Sequence, residues 1–183
     1  MLVGCGGKKK FDRFGQRRFA ETVGRELSRL KAKEATVNLQ GVALSADALA
    51  QTLEDLASQV VTACYVYDRT LTKTVEKPAL RKVVIISDGT LSPAKSKTAV
   101  ATGEALGLGA NLARELGNTP GNICTPRFLS KQARQLAKTH KALKTSVLDE
   151  AKMRELGMGS LLSVGHGSDE PSQLIVMEYR GGK

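Results

Sequence analysis

Four groups of residues in this 183-residue chain have side chains and spacings that could do chemistry. The stretch "GCGGKKK" (Gly4–Lys10) sets glycines and lysines after an apolar start, the materials of a phosphate cradle. It lacks the spacing and the Ser/Thr of GxxxxGK[ST] and is not GxGxxG, so a strand-to-helix turn with a solvated basic patch is the simpler reading. Cys124 would be a nucleophile if His140 or His166 served as its base. Nothing nearby supports that pairing, and a small buried residue in a turn accounts for it. His166 in "SVGHGSDEP" would be a base for Ser163 or Ser168. Flanked by glycines at a strand end, with no acid assignable to orient it, it reads as a loop residue. Glu150 and Glu155 in "DEAKMRELG" read as solvated helix carboxylates. From the residues alone, no catalytic, metal-ligating or cofactor-binding residue is assigned.

Bulk properties narrow the classes further. Cys5, Cys64 and Cys124 lie about sixty residues apart, with no CxxC spacing. With only two histidines, they predict neither a zinc site nor a disulfide framework. A reduced, cytoplasmic protein is the expectation. No apolar run reaches the ~18 residues that span a bilayer, so no membrane partner is expected. "MLVGCGG" has no positive charge ahead of its apolar run and is too short for a signal peptide. Aromatics make up only 4% and tryptophan is absent, which argues against stacking platforms for single strands. The formal charge of +10 is unevenly spread. Residues 1–35 carry +6, 36–68 carry −4, 69–97 carry +5, 119–144 carry +6 and 145–183 carry −2. Such a field would draw nucleic acid through counterion release, or it is a set of solvated helix faces.

The elements that would position these residues alternate. "MLVGCGG" reads as a buried strand. Phe11, Phe14, Phe19, Val23, Leu27 and Leu30 come next at helical spacing. "EATVNLQGVAL" predicts a strand, and "SADALAQTLEDLASQVVTACYVYD" a long amphipathic helix capped by Ser45 or Asp47. After a polar connector, "KVVIISD" is a strand and "GTLSPAKSK" a turn. "TAVATGEALGLGANLARELGN" is a helix that stops at Gly117–Asn118, with Pro120 just beyond. Within it, the glycines of "GLGANLARELG" (Gly107–Gly117) predict close helix packing rather than a nucleotide loop. "PRFLSKQARQLAKTHKA" is a helix with Pro126 in its first turn. "TSVLD" is a strand, "EAKMRELGMG" a short helix stopped at Gly157, "SLLSVGHGS" an apolar segment and "QLIVMEYRGG" a strand. The class is α/β. The expected divisions are an incomplete α/β domain over 1–90, a linker helix region over 91–118 and the first α/β elements of a second domain over 119–183.

Two long stretches, "LARELGNTPGNICTPRFLSKQARQLA" and "VLDEAKMRELGMGSLLSVGHGSDEPSQLIVMEYRGGK", together resemble the leucyl (cytosol) aminopeptidase family, bacterial type. The residues that carry the resemblance are Leu116, Asn118, Pro120, Asn122, Thr125 and Pro126, in the family's "LxNxPxNxxTP". Met153, Leu156 to Gly159, Gly167, Ser168 and Pro171 continue in the family's order. "LVGCGGKKK" through "KVVIISD" is similar to the family's N-terminal domain, less distinctively.

The resemblance implies a metal-dependent peptide hydrolase that removes N-terminal residues, using two divalent ions (manganese or zinc), and that works as a homo-hexamer. It implies that "NTPGNICTP" is a joint after a linker helix, and it gives His166 no shared catalytic role. The family's metal and catalytic residues lie in "GKGxxxD[ST]GG" and "NTDAEGR" segments, and neither occurs in these 183 residues. The expectation is therefore a fragment of such an enzyme, inactive by itself, binding no metal and carrying no site residue. A basic nucleic-acid-binding module derived from the same family is the alternative.

Overall fold

Asp12 opens the first helix, α1 (Arg13–Arg29), by accepting the Gly15 N–H on its carboxylate at 2.9 Å. The structure is a computed structural model and describes residues 1–7 and 11–182. By internal contacts, the chain forms two compact units, Met1–Glu115 and Leu116–Lys183.

In the first unit, Phe19, Ala20, Val23 and Leu27 give α1 a buried stripe at helical spacing. It packs on α2 (Ala46–Ala63), whose Leu49, Leu53 and Leu56 are nearly inaccessible to solvent. Ser45 caps α2 by accepting the Ala48 N–H at 3.2 Å, and Arg13 of α1 pairs with Asp55 of α2. Strands β1 (Glu34–Asn38) and β2 (Lys82–Ile86) pair in parallel, with Val37 opposite Ile85. Parallel strands need a long crossover, and α2 supplies it. The core joins Val37 and Leu39 from the strand side to the α1 and α2 stripes.

Helix α3 (Pro93–Asn118) runs for 26 residues and starts earlier than the sequence predicts. "SPAKSK" is its cap and first turn. Ser92 accepts the Lys95 N–H at 3.4 Å, and Pro93 sits where a helix needs no N–H. Close packing on α2 is possible because Gly103 and Gly107 face it. A Cβ at Gly103 would overlap the Glu54 carbonyl, and one at Gly107 would sit 2.7 Å from Val61 Cβ. The expected packing role of "GLGANLARELG" is thus met by Gly107, whereas Gly109 and Gly117 face open space.

The predicted strand in "MLVGCGG" is not present in Met1–Gly7, and Lys8–Lys10 lie outside the described residues. Val3 and Cys5 still pack against the core, so the alternation is real, but the backbone joins no ladder among the described residues.

In the second unit, α4 (Pro126–Thr139) packs on an antiparallel pair, β3 (Leu143–Leu148) and β4 (Leu174–Tyr179). Thr145 in β3 donates its hydroxyl to the Ala133 carbonyl of α4 at 3.3 Å. Helix α5 (Glu150–Glu155) buries Met153 and ends where Gly157, at φ +72, lets Met158 N–H reach back to Met153 O at 3.0 Å. "SLLSVGHGS", expected to lead His166 to a strand end, instead contains a short helix, α6 (Gly159–Val164). β4 is the strand that pairs with β3, which leaves this segment to satisfy its own backbone: His166 N–H donates to Ser163 O at 3.3 Å.

Candidate functional site

The glycine–lysine stretch is the first candidate. Its described part, Met1–Gly6, borders a groove of about 610 Å³ with Gly15, Arg18, Phe19, Thr22 and Glu26 of α1. The N–H groups that an anion would use at the start of α1 are served by Asp12 instead. A negative side chain already holds that position, so the described residues form no phosphate cradle.

Cys124 lies in the turn that starts α4. Ile123 and Cys124 both donate their N–H to Pro120 O, at 2.9 and 2.8 Å, and Thr125 accepts the Phe128 N–H at 3.3 Å. His140 caps the far end of the same helix. Fourteen helical residues separate them, roughly 21 Å at 1.5 Å per residue, so Cys124 and His140 cannot share a proton. The segment "NTPGNICTP" therefore contains a helix stop, a turn and a helix start.

Glu150, Arg154, Ser163, His166 and Ser168 do converge, around a depression of about 550 Å³. The hydroxyls are committed locally: Ser163 donates to Ser160 O at 2.8 Å, and Ser168 accepts the Glu170 N–H at 3.2 Å. Among the described residues, no hydrogen bond joins either serine hydroxyl to His166. Glu150 is more than a solvated helix carboxylate. One oxygen accepts the Ser172 N–H at 2.9 Å across the loop, and the other accepts Arg154 Nη2 at 2.9 Å. The Ser172 N–H, with help from Arg154, holds its carboxyl below the usual range, so it stays ionised and acts as a tether. Glu155 meets expectation in pairing with Lys152 at 2.6 Å on the helix surface. Glu150 is placed in α5 by the sequence pattern, but its partner 22 residues on carries no local signal.

In the first unit, an apolar cavity of about 380 Å³ lies among Leu56, Val60, Cys64, Val83, Ile85 and Val100. Burial pushes the Cys64 thiol up, against the opposing pull of Arg81. A thiol held protonated among aliphatic side chains is not a poised nucleophile. Cys5 is raised by burial as well. Among the described residues, no three His, Cys, Asp or Glu side chains come together as metal ligands. No helix of the described residues is long and apolar enough to cross a membrane.

The basic residues of 119–144 are better ordered. Arg127, Lys131, Arg134 and Lys138 fall at i, i+4, i+7 and i+11 on α4, and all four are exposed. Among the described residues none of them enters an ion pair.

Comparison with known proteins divides the chain at a similar place. The model of the cytosol aminopeptidase family, N-terminal domain, matches residues 1–74. The model of the cytosol aminopeptidase family, catalytic domain, matches residues 111–183. A cytosol aminopeptidase of Pseudomonas aeruginosa is 37% identical over 183 residues, covering 100% of this chain and 37% of the relative. A probable cytosol aminopeptidase of Thioalkalivibrio sulfidiphilus is 37% identical over 186 residues with the same coverage. The chain thus spans a little over a third of the length of these curated relatives. Among solved structures, a tomato leucine aminopeptidase mutant superposes with a TM-score of 0.81 at 23% identity, covering 94% of this chain and 34% of that one. The bottromycin maturation enzyme BotP in complex with Mn gives 0.70 at 28% identity, covering 89% and 32%.

Proposed function

The chain belongs to the cytosol aminopeptidase family, and from that premise we propose that it forms part of a metal-dependent enzyme that removes N-terminal residues from peptides. The observation that carries this reading is order. An N-terminal-domain match and a catalytic-domain match succeed one another along the chain, on either side of most of α3. In this reading 1–90 belong to the N-terminal α/β domain, 91–118 are the linker helix region and 119–183 begin the catalytic domain. The two ions would be manganese or zinc, a reading that the manganese in the BotP structure favours. The described residues bring no ligand set together, so no step of hydrolysis is assigned to a side chain of this chain. The enzyme is cytoplasmic and assembles as a hexamer in this reading. The 183 residues by themselves are inactive.

The test is to express the whole reading frame that contains this sequence and assay leucine amide hydrolysis with Mn²⁺ or Zn²⁺. Release of leucine that is abolished by a chelator and restored by metal is the expected result. Absence of hydrolysis with either metal, on a folded product, would overturn the proposal.

The stripe on α4 favours a second reading, a basic surface for nucleic acid. Four cations along roughly 16 Å of helix could each meet a phosphate of a duplex backbone. Changing Arg127, Lys131, Arg134 and Lys138 to glutamine would then weaken duplex binding without regard to sequence. Affinity that did not fall steeply with added salt would count against this reading.

A further inference from the structure

The C-terminal end of α2 is completed by side chains from α3. A helix leaves its last carbonyls without intrahelical donors. Here Asn111 Nδ2 donates to Val61 O at 3.0 Å, and Arg114 Nη1 donates to Thr62 O at 2.9 Å. Asn111 Oδ1 is buried with no partner among the described residues, so this amide is held for its donor. The Arg114 guanidinium also stands 5.9 Å over the Tyr65 ring, just past the helix end, where a cation complements the helix dipole. Tyr65 in turn donates its hydroxyl to Glu115 Oε2 at 3.0 Å, and Arg69 Nε lies 3.5 Å from Glu115 Oε1. Gly103 and Gly107 bring the two helices close enough for these reaches.

We propose that Asn111, Arg114 and Glu115 act as the C-cap of α2, so that α3 as far as Glu115 folds and opens with the N-terminal unit. These three residues fall inside the catalytic-domain match, which begins at residue 111. The physical boundary therefore lies later than the family boundary: the first residues matched to the catalytic domain are carried by the unit before it. This does not depend on the peptidase reading, since it concerns only which residues open together.

Hydrogen exchange on the 183-residue chain tests it. In the unaltered protein, amides of 104–115 should be protected to the same degree as those of the α2 interior and should open with them. Asn111→Asp keeps the shape but removes the donor, and Arg114→Ala removes the charged one. Each should speed exchange of the amides at 62–65 and 108–115 by about tenfold or more, while β3 and β4 are unchanged. Exchange of 104–115 as a frayed helix in the unaltered protein would overturn the proposal. So would variants that leave the amides at 62–65 unmoved. The unaltered-protein comparison stands even if a variant fails to fold.

Discussion

At the scale of single residues, space decides more here than chemistry. Gly103 lies against the Glu54 backbone, which cannot move aside as a flexible side chain can, whereas Gly109 faces open space on the same helix. Gly103→Val should therefore lower the stability of the first unit by about 1–3 kcal/mol or more. Gly109→Ala should raise it by about 0.5–1 kcal/mol, because alanine is the better helix former. Urea denaturation monitored by circular dichroism separates the two. Glu150 gives a prediction in pH. Its folded pKa is depressed by the Ser172 N–H, so its contribution to stability is fully present above the unfolded-chain value of about 4.3. That contribution is lost as pH falls through the lowered folded value. Glu150→Gln should remove this part of the acid limb in a stability-against-pH profile of the second unit. An unchanged acid limb would show that the tether is not made in solution.

At the scale of elements, local chemistry is legible in the sequence and partner choice is not. Ser45 marks a helix start and Asn118 the stop of α3, and the structure has both, because capping acts over three or four residues. Thr125 caps α4 ahead of Pro126, so Thr125→Ala should destabilise the second unit by about 1 kcal/mol, measurable as a lower urea midpoint. The segments that depart from expectation are those whose state depends on a distant strand. "MLVGCGG" has strand composition, but its described backbone joins no ladder, and "SLLSVGHGS" folds as α6 while β4 takes the place beside β3. "SPAKSK" carries a helix start, since Ser then Pro supplies both cap and first residue; its lysines and serines obscure that. The α2 cap has no local signal, because Asn111 and Arg114 act about fifty residues away from the carbonyls they meet.

At the scale of the whole molecule, the two units each have their own two-stranded sheet. Each sheet carries exposed apolar side chains: Val84 and Ile86 on β2, and Val176, Met177 and Tyr179 on β4. The residues singled out for chemistry do not assemble a reactive centre. Cys124 and His140 stand at opposite ends of α4, Ser163 and Ser168 are bonded to nearby backbone, and Glu150 is a tether. What identifies the chain is the order of the motifs around Asn118–Pro126 and Met153–Pro171, which lie within the catalytic-domain match. In the proposed reading, these residues belong to a peptide hydrolase whose reacting groups are not among them. That claim is tested most directly by incubating the purified 183-residue chain, shown to be folded, with leucine p-nitroanilide and Mn²⁺ or Zn²⁺. No hydrolysis above the metal-only blank is expected. Turnover that depends on the protein and disappears with a chelator would contradict it.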